Sequence, residues 1–259
     1  MNELLSTLRE MPLWQAVALL LLQNLLVFAL AVCAGHLIAR AFRHRRVTPA
    51  PEPVTRLEIA LTVSTILLNT LVTVAGFLLW RAGVVSFRTD VGLWALLDVV
   101  ILLLVMDFAM YVLHRVAHHA RLFPLLHRAH HRFNNPRPLT LFVLNPAETL
   151  SFGSLWLILI SCYSFSWLGM SVYLFLNVVF GTIGHLGVEP LPDSWQRTRP
   201  LSYLSSSTFH AVHHNEISHN FGFYTLLWDK LFGTLHPRQG TAALRAGVAS
   251  NESVGVVRK

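Results

Sequence analysis

The sequence predicts an all-α integral membrane protein, with four or five transmembrane helices and a cytoplasmic helical cap that holds a histidine-rich dimetal site. Three observations predict it. Hydrophobic residues make up 54% of the 259-residue chain and charged residues only 13%, about half the charged share of an ordinary soluble domain. The apolar residues collect in runs long enough to cross a hydrocarbon core of ~30 Å. Eleven of the 14 histidines fall between His114 and His219, a clustering for which membrane packing gives no reason. The same composition excludes disorder. The two cysteines, Cys33 and Cys162, both sit in apolar runs, which excludes a disulfide scaffold.

The first run, Leu13 to Ile38, lacks the basic start and small-residue cleavage site of a signal peptide, so it reads as a retained span. Arg40, Arg43, Arg45 and Arg46 follow it, and then a Pro-rich linker from Val47 to Thr55. A second span runs from Leu57 to Trp80 and a third from Val91 to Leu113. The fourth and fifth, Leu139 to Cys162 and Trp167 to Gly184, are separated by a break too short for anything but a hairpin. The domain division expected is 1–56 for the N-terminal helix, basic loop and linker, 57–236 for the catalytic unit, and 237–259 for a polar, mobile tail.

The net charge is +7. The basic residues flank apolar runs rather than lining one stripe, so they read as topology signals and not as a nucleic-acid surface. Lys and Arg collect on the cytoplasmic side, which places the end of the first span there. Alternation then brings His114 and His185 to that same face, making the chain a multi-pass protein with its histidines on the cytoplasmic side.

Three clusters carry the chemistry: His114-Arg-Val-Ala-His118-His119, His127-Arg-Ala-His130-His131 and His210-Ala-Val-His213-His214. Residues three and four apart share a helical face, so each cluster is expected to aim its imidazoles at one point. A single zinc takes three or four protein ligands. Eight or nine convergent imidazoles therefore imply two metal ions, and imidazole suits iron, zinc and copper. The H-E-x-x-H string of zinc proteases does not occur.

The string Asp107-Phe-Ala-Met-Tyr111-Val-Leu-His114-Arg115-Val-Ala-His118 resembles the opening motif of the fatty acid hydroxylase/sterol desaturase superfamily. The second and third clusters resemble its H-x-x-H-H motifs. His219-Asn220-Phe221-Gly222 and Trp228-Asp229-Lys230-Leu231-Phe232-Gly233-Thr234 resemble its close, with the nearest look to the sterol C5-desaturase-like branch. The resemblance covers about residues 91 to 236. It implies a membrane-bound non-haem di-iron oxygenase that hydroxylates or desaturates a lipid C–H bond with dioxygen and two electrons. It also implies metal ligands at His114, His118, His127, His130, His131, His185, His210, His213 and His214. The cofactor expected is two iron ions, with zinc as a substitute in purified protein. The partners expected are a lipid substrate from the bilayer and a separate electron donor of ferredoxin or cytochrome b5 type, because no segment is long enough for a fused one.

Asp107 and Tyr111 share a helical stripe with His114 and His118 and are the candidate catalytic residues. Asp107 is expected to hydrogen-bond a ligand histidine and fix its tautomer. Glu189 stands where larger relatives carry a histidine. It reads as an acceptor behind a ligand or a surface acid in preference to a ligand. Asp229 is an acceptor behind a ligand or a helix-end partner for a basic residue. His119 is one step off its face and is not expected to bind metal, and His219 is ambiguous. His36, His44 and His236 carry no chemistry, and none is assigned to Asn145-Pro146-Ala147-Glu148. Asp98 has no partner legible in the sequence. Two other readings stand beside the first: a carotenoid or alkane hydroxylase of the histidine-rich di-iron type, and a metal transporter or sensor. Transport ligands belong near mid-membrane, whereas these histidines sit at span ends.

Overall fold

The computed structural model describes residues 2–237; the tail expected to be mobile lies, from residue 238 on, outside the described residues. After α1 (Asn2–Glu10) come α2 (Leu13–Ala41), α3 (Arg56–Arg81) and α4 (Leu93–Ala117). The short α5 (Phe123–Leu126) and α6 (Arg128–His131) lead to α7 (Pro146–Cys162) and α8 (Trp167–Gly184). Then follow α9 (Asp193–Arg197), α10 (Ser207–Asn215) and α11 (Leu227–Leu231). Helices α2, α3, α4 and α8 are long and apolar enough to cross a membrane. The fourth apolar run does not start as a helix at Leu139. Pro138–Phe142 forms a 3-10 turn, and α7 begins only at Pro146. Proline at the first helical position has no N–H to lose, and it keeps the residue before it extended. Asn145 accordingly takes φ −65°, ψ 142° and caps Ala147 N. The remaining 17 residues span only ~26 Å at 1.5 Å per residue, short of the hydrocarbon core.

Helix starts are chemically marked. Thr55 and Glu58 form a capping box at α3, and the Ser206 hydroxyl accepts from Phe209 N at α10; each satisfies a donor that the helix cannot. The five longest helices close a ring in which α2 packs on α3, α3 on α7, α7 on α4, α4 on α8, and α8 back on α2. Inside it, Leu102, Met106 and Met110 of α4 meet Phe165, Tyr173 and Tyr224. On the outside, Leu30, Leu37, Leu71, Leu96 and Phe175 are exposed by more than half of their surface. Apolar side chains turned outward along the whole bundle have no place in water, and they form the lipid-facing belt of a membrane protein.

Polar contacts gather at the two ends of the bundle. At one, Arg81 bonds the carbonyls of Arg9 and Met11. A two-residue parallel ladder there pairs Phe87 with Phe165 and Arg88 with Ser166. The buried Asp98 belongs to this end, accepting from Arg88 Nη2 at 2.7 Å and from Ser166 N at 2.6 Å. At the other end, Val47 N bonds Gly187 O and Glu189 N bonds Arg45 O. That contact joins the segment after α2 to the segment after α8. Glu58 pairs with Arg137 at the same end. The chain thus brings the ends of α2, α4 and α8 and the starts of α3 and α7 to one side.

The α3–α7 contact depends on a missing side chain. A Cβ built on Gly153 would lie 2.4 Å from Cγ2 of Val72, and a β-branched neighbour has one strongly preferred rotamer in a helix. Gly153→Ala should cost ~1–3 kcal/mol by overpacking, and adding Val72→Ala should recover most of it. Thermal unfolding of the detergent-solubilised single and double variants checks this.

Candidate metal centre

Each functional histidine is placed by a different piece of local structure. His114 lies on the last full turn of α4 and His118 caps its end. His127 sits between α5 and α6, and His130 and His131 close α6. His185 ends α8. His210, His213 and His214 belong to α10. The nine fall into two groups whose nitrogens lie within 4.8 Å of one another and can each hold a metal ion. One group is His114, His118, His127, His131 and His213; the other is His130, His185, His210 and His214.

This grouping corrects the expectation that each cluster converges on one point. His127 and His131, four apart, join the first group, while His130 between them turns to the second. His210 and His214, again four apart, join the second group, while His213 turns to the first. Adjacent helical residues diverge by ~100°, so a histidine doublet serves both groups at once.

The nitrogen positions are unusual for an ordinary packed interior. Nε2 of His114 faces Nε2 of His127 at 3.0 Å, and Nε2 of His131 faces that of His213 at 3.0 Å. In the second group His185 Nε2 lies 3.3 Å from His130 Nε2 and 3.1 Å from His210 Nε2, with His214 Nε2 3.1 Å beyond His210. The opposite ring nitrogens determine where the protons are. His114 Nδ1 donates to Phe221 O, His130 Nδ1 to Val143 O, His185 Nδ1 to Gly181 O and His213 Nδ1 to His219 O. A carbonyl oxygen only accepts, so these four rings carry their proton on Nδ1 and leave Nε2 as a bare lone pair. His127 Nδ1 shares a hydrogen bond with Glu148 Oε1 at 2.6 Å.

In the His130–His185 pair two lone pairs therefore face each other with no proton between them. Protonating a ring to fill the gap is opposed by burial, which pushes His185 down from 6.5 to about 4 and His131 to about 3. Burial likewise holds His127, His130, His210, His213 and His214 well below 6.5. A metal cation resolves the repulsion. The nitrogens of each group are close enough together for one ion to be held among them. The donor set thus fits two ions that accept neutral imidazole.

The other sequence candidates separate into three sets. Asp107 does not form its expected bond to a histidine. Its carboxylate accepts from Tyr224 N at 2.8 Å, Thr225 N at 3.2 Å and Thr225 Oγ1 at 2.5 Å. It anchors the closing segment to α4, because its position seven residues before His114 is two turns down the helix. Tyr111 is also directed to that segment, sharing a hydrogen bond with Thr234 Oγ1 at 3.0 Å and stacking on Phe232. Asp229 takes Phe221 N and Gly222 N, and so holds the backbone whose carbonyl fixes His114. Gly222 is required there: a Cβ would lie 2.3 Å from Thr225 O and 2.8 Å from Asp229 Oδ2. Asn220 beside it adopts φ 61°, a region that asparagine tolerates.

Glu189 is not a surface acid. It is 1% exposed and accepts from Thr208 N and Oγ1, which secures the start of α10. His119 is exposed and outside both groups. His219 supplies its backbone carbonyl to His213, His36 bonds its own helix at Val32 O, and His236 pairs with Glu216. Glu148, given no chemistry from the sequence, is the residue that reasoning missed. The signal was an acid inside an apolar run, which is costly in a membrane and marks function.

The fatty acid hydroxylase family model matches residues 99–234, a stretch that includes all nine histidines. Lathosterol oxidase of Mus musculus is 30% identical over 70% of the chain and 61% of its own length. A cholesterol 25-hydroxylase-like protein of Danio rerio is 29% identical over 54% of the chain and 55% of its own length. A very-long-chain aldehyde decarbonylase of Oryza sativa subsp. indica is 33% identical over 48% of the chain, and only 21% of its own length is spanned. The chain thus spans about three fifths of the first two relatives at most. No solved structure matches it. The matched stretch, running from the second turn of α4 to Thr234 in the closing segment, places this chain in the fatty acid hydroxylase family, to which it belongs.

Proposed function

We propose that this chain is a membrane-bound di-iron oxygenase that hydroxylates or desaturates a lipid C–H bond, using dioxygen and two electrons from a separate donor. The observation that carries the reading is the convergence of nine imidazoles into two groups whose nitrogens lie within 4.8 Å of one another. His114, His118, His127, His131 and His213 would hold one iron, and His130, His185, His210 and His214 the other. Bound iron supplies the oxidising power that cleaves an unactivated C–H bond, which offers no polar handle to acids or bases. The protein's part is to present neutral imidazoles in fixed orientations, through the Nδ1 donations to Phe221, Val143, Gly181 and His219 carbonyls. The rings of Phe123 and Phe221 lie against the first group and keep water from that side.

The substrate is a lipid, in keeping with the sterol- and aldehyde-acting names of the relatives. A cavity of ≈ 10 Å³ lined by Leu113, Ala117, Leu126, Phe152, Ser151, Glu148 and His114 lies between α4, α5 and α7. The histidine end faces the cytoplasm, since the Arg40–Arg46 cluster, Arg115, Arg128, Arg132 and Arg137 belong to that end, against Arg9, Arg81 and Arg88 at the other. The catalytic unit spans 57–236. Placement of the histidines at helix ends rather than in mid-span favours this reading over transport.

His131→Ala and His213→Ala should each abolish product and lower bound metal while the protein still inserts, because insertion follows apolar length. His44→Ala should keep both. Membrane level, metal per chain and lipid product measured together check this; normal turnover with two metals in both ligand variants would overturn the assignment.

Acid should act on the same groups. Folded His185 and His131 titrate near 4 and 3 against 6.5 for an ordinary histidine. Below pH 6.5 the unfolded chain takes up protons that the folded site refuses, so stability falls as pH falls from 6.5 toward 4. Metal-free protein should show a falling melting temperature across that window. A flat profile would contradict it.

A further inference from the structure

Two divalent ions would bring four positive charges into a site built of nine neutral imidazoles. Few carboxylates are positioned to offset them. Asp107, Glu189 and Asp229 accept from backbone N–H and threonine hydroxyl groups and from no imidazole. Glu216 accepts from His236, outside both groups. Among the described residues, Glu148 is the carboxylate that reaches one of the nine. Its Oε1 lies 2.6 Å from His127 Nδ1, and both side chains are 4% exposed.

An acid in the first turn of a helix usually serves that helix's own free N–H groups. At α7 the Asn145 side chain accepts from Ala147 N, and Glu148, which the Asn145 backbone also meets, reaches on to His127. Its second oxygen, Oε2, is buried with no hydrogen-bond partner, and the residue lines the cavity that also touches His114. The four-histidine group has no such support. His130 and His185 are backed by the neutral carbonyls of Val143 and Gly181. The two groups therefore differ in ligand number, five against four, and in the carboxyl group that stands behind one ligand of the five.

We propose that the two metal positions are inequivalent, and that Glu148, acting through His127, makes the five-histidine position the tighter of the two. The proposal rests on the two-metal reading above. A carboxylate behind a ligating imidazole fixes its tautomer and strengthens it as a donor, and it offsets buried positive charge that a carbonyl cannot. Glu148 is a positioning residue: its reach is to His127 and not to the reacting atoms.

The test uses the full chain in lipid nanodiscs loaded with Zn²⁺ alone, with zinc per chain measured by mass spectrometry along a graded EDTA series. The native protein should release zinc in two steps. His214→Ala should lack the early-released ion and keep the late one. Glu148→Gln keeps the shape and an oxygen that can accept from His127 Nδ1, but removes the charge. Its late step should move to about 10- to 100-fold less chelator, with the early step unchanged. A general loosening of the fold would shift both steps, so an equal shift of both would overturn the proposal, as would a late step left in its native place. His214→Ala that loses the late ion instead would also overturn it. Fewer than two zinc ions in the native protein would overturn the two-metal reading itself, and the proposal with it.

Discussion

The constraint on which the histidine end depends is that uncharged imidazoles are packed with unprotonated nitrogens face to face. In a protein interior each such nitrogen needs a donor, and burial without one costs of order 1–3 kcal/mol. Four rings have committed their proton to a backbone carbonyl on the far side, so their Nε2 atoms cannot donate to one another. Cations between the rings would relieve that arrangement, and the backbone carbonyls that orient the imidazoles would then set the metal affinity.

One of those carbonyls is in turn held by an acid that does not touch the site, and two further acids hold neighbouring segments. Asp229 grips the amides of Phe221 and Gly222, and the Phe221 carbonyl fixes His114. Asp107 ties Tyr224 and Thr225 to α4, and Glu189 ties the start of α10 to the segment leaving α8. Each carboxylate accepts two or more hydrogen bonds from groups that would otherwise be buried unpaired. The closing motif of the sequence is therefore a clamp, in which Asn220 takes a left-handed turn and Gly222 allows the backbone to close on Thr225 and Asp229.

Much of the architecture was legible because membrane helices announce themselves by length and hydropathy. The bounds read for the first, second, third and fifth spans lie within a few residues of α2, α3, α4 and α8. The fourth run was legible as apolar but not as broken, because Pro146 delays the helix start while the residues before it remain apolar. The nine histidines were legible as a set through their spacing. Their division into five and four was not, since that depends on how α6 and α10 are rotated against α4, a tertiary fact. The role of Asp107 was misread because it lies on the ligands' stripe, two turns below them, where a different segment packs. Glu148 went unassigned because it lies 21 residues from His127 and in another helix, with no motif linking them.

The order of ligands along the chain sets a schedule for assembly. His114 is made 100 residues before His214, and the clamp that fixes it comes later still, at Phe221 and Asp229. At translation rates of ~5–20 residues per second, the first ligand waits for at least about 5–20 s on the nascent chain before either group of imidazoles can be complete. During that interval α4 already carries His114 and His118 with Phe221 not yet made. A metal ion arriving in that interval would meet the imidazoles of His114 and His118 without the rest of their group, which is complete only once the C-terminal segment has folded back over the helix ends.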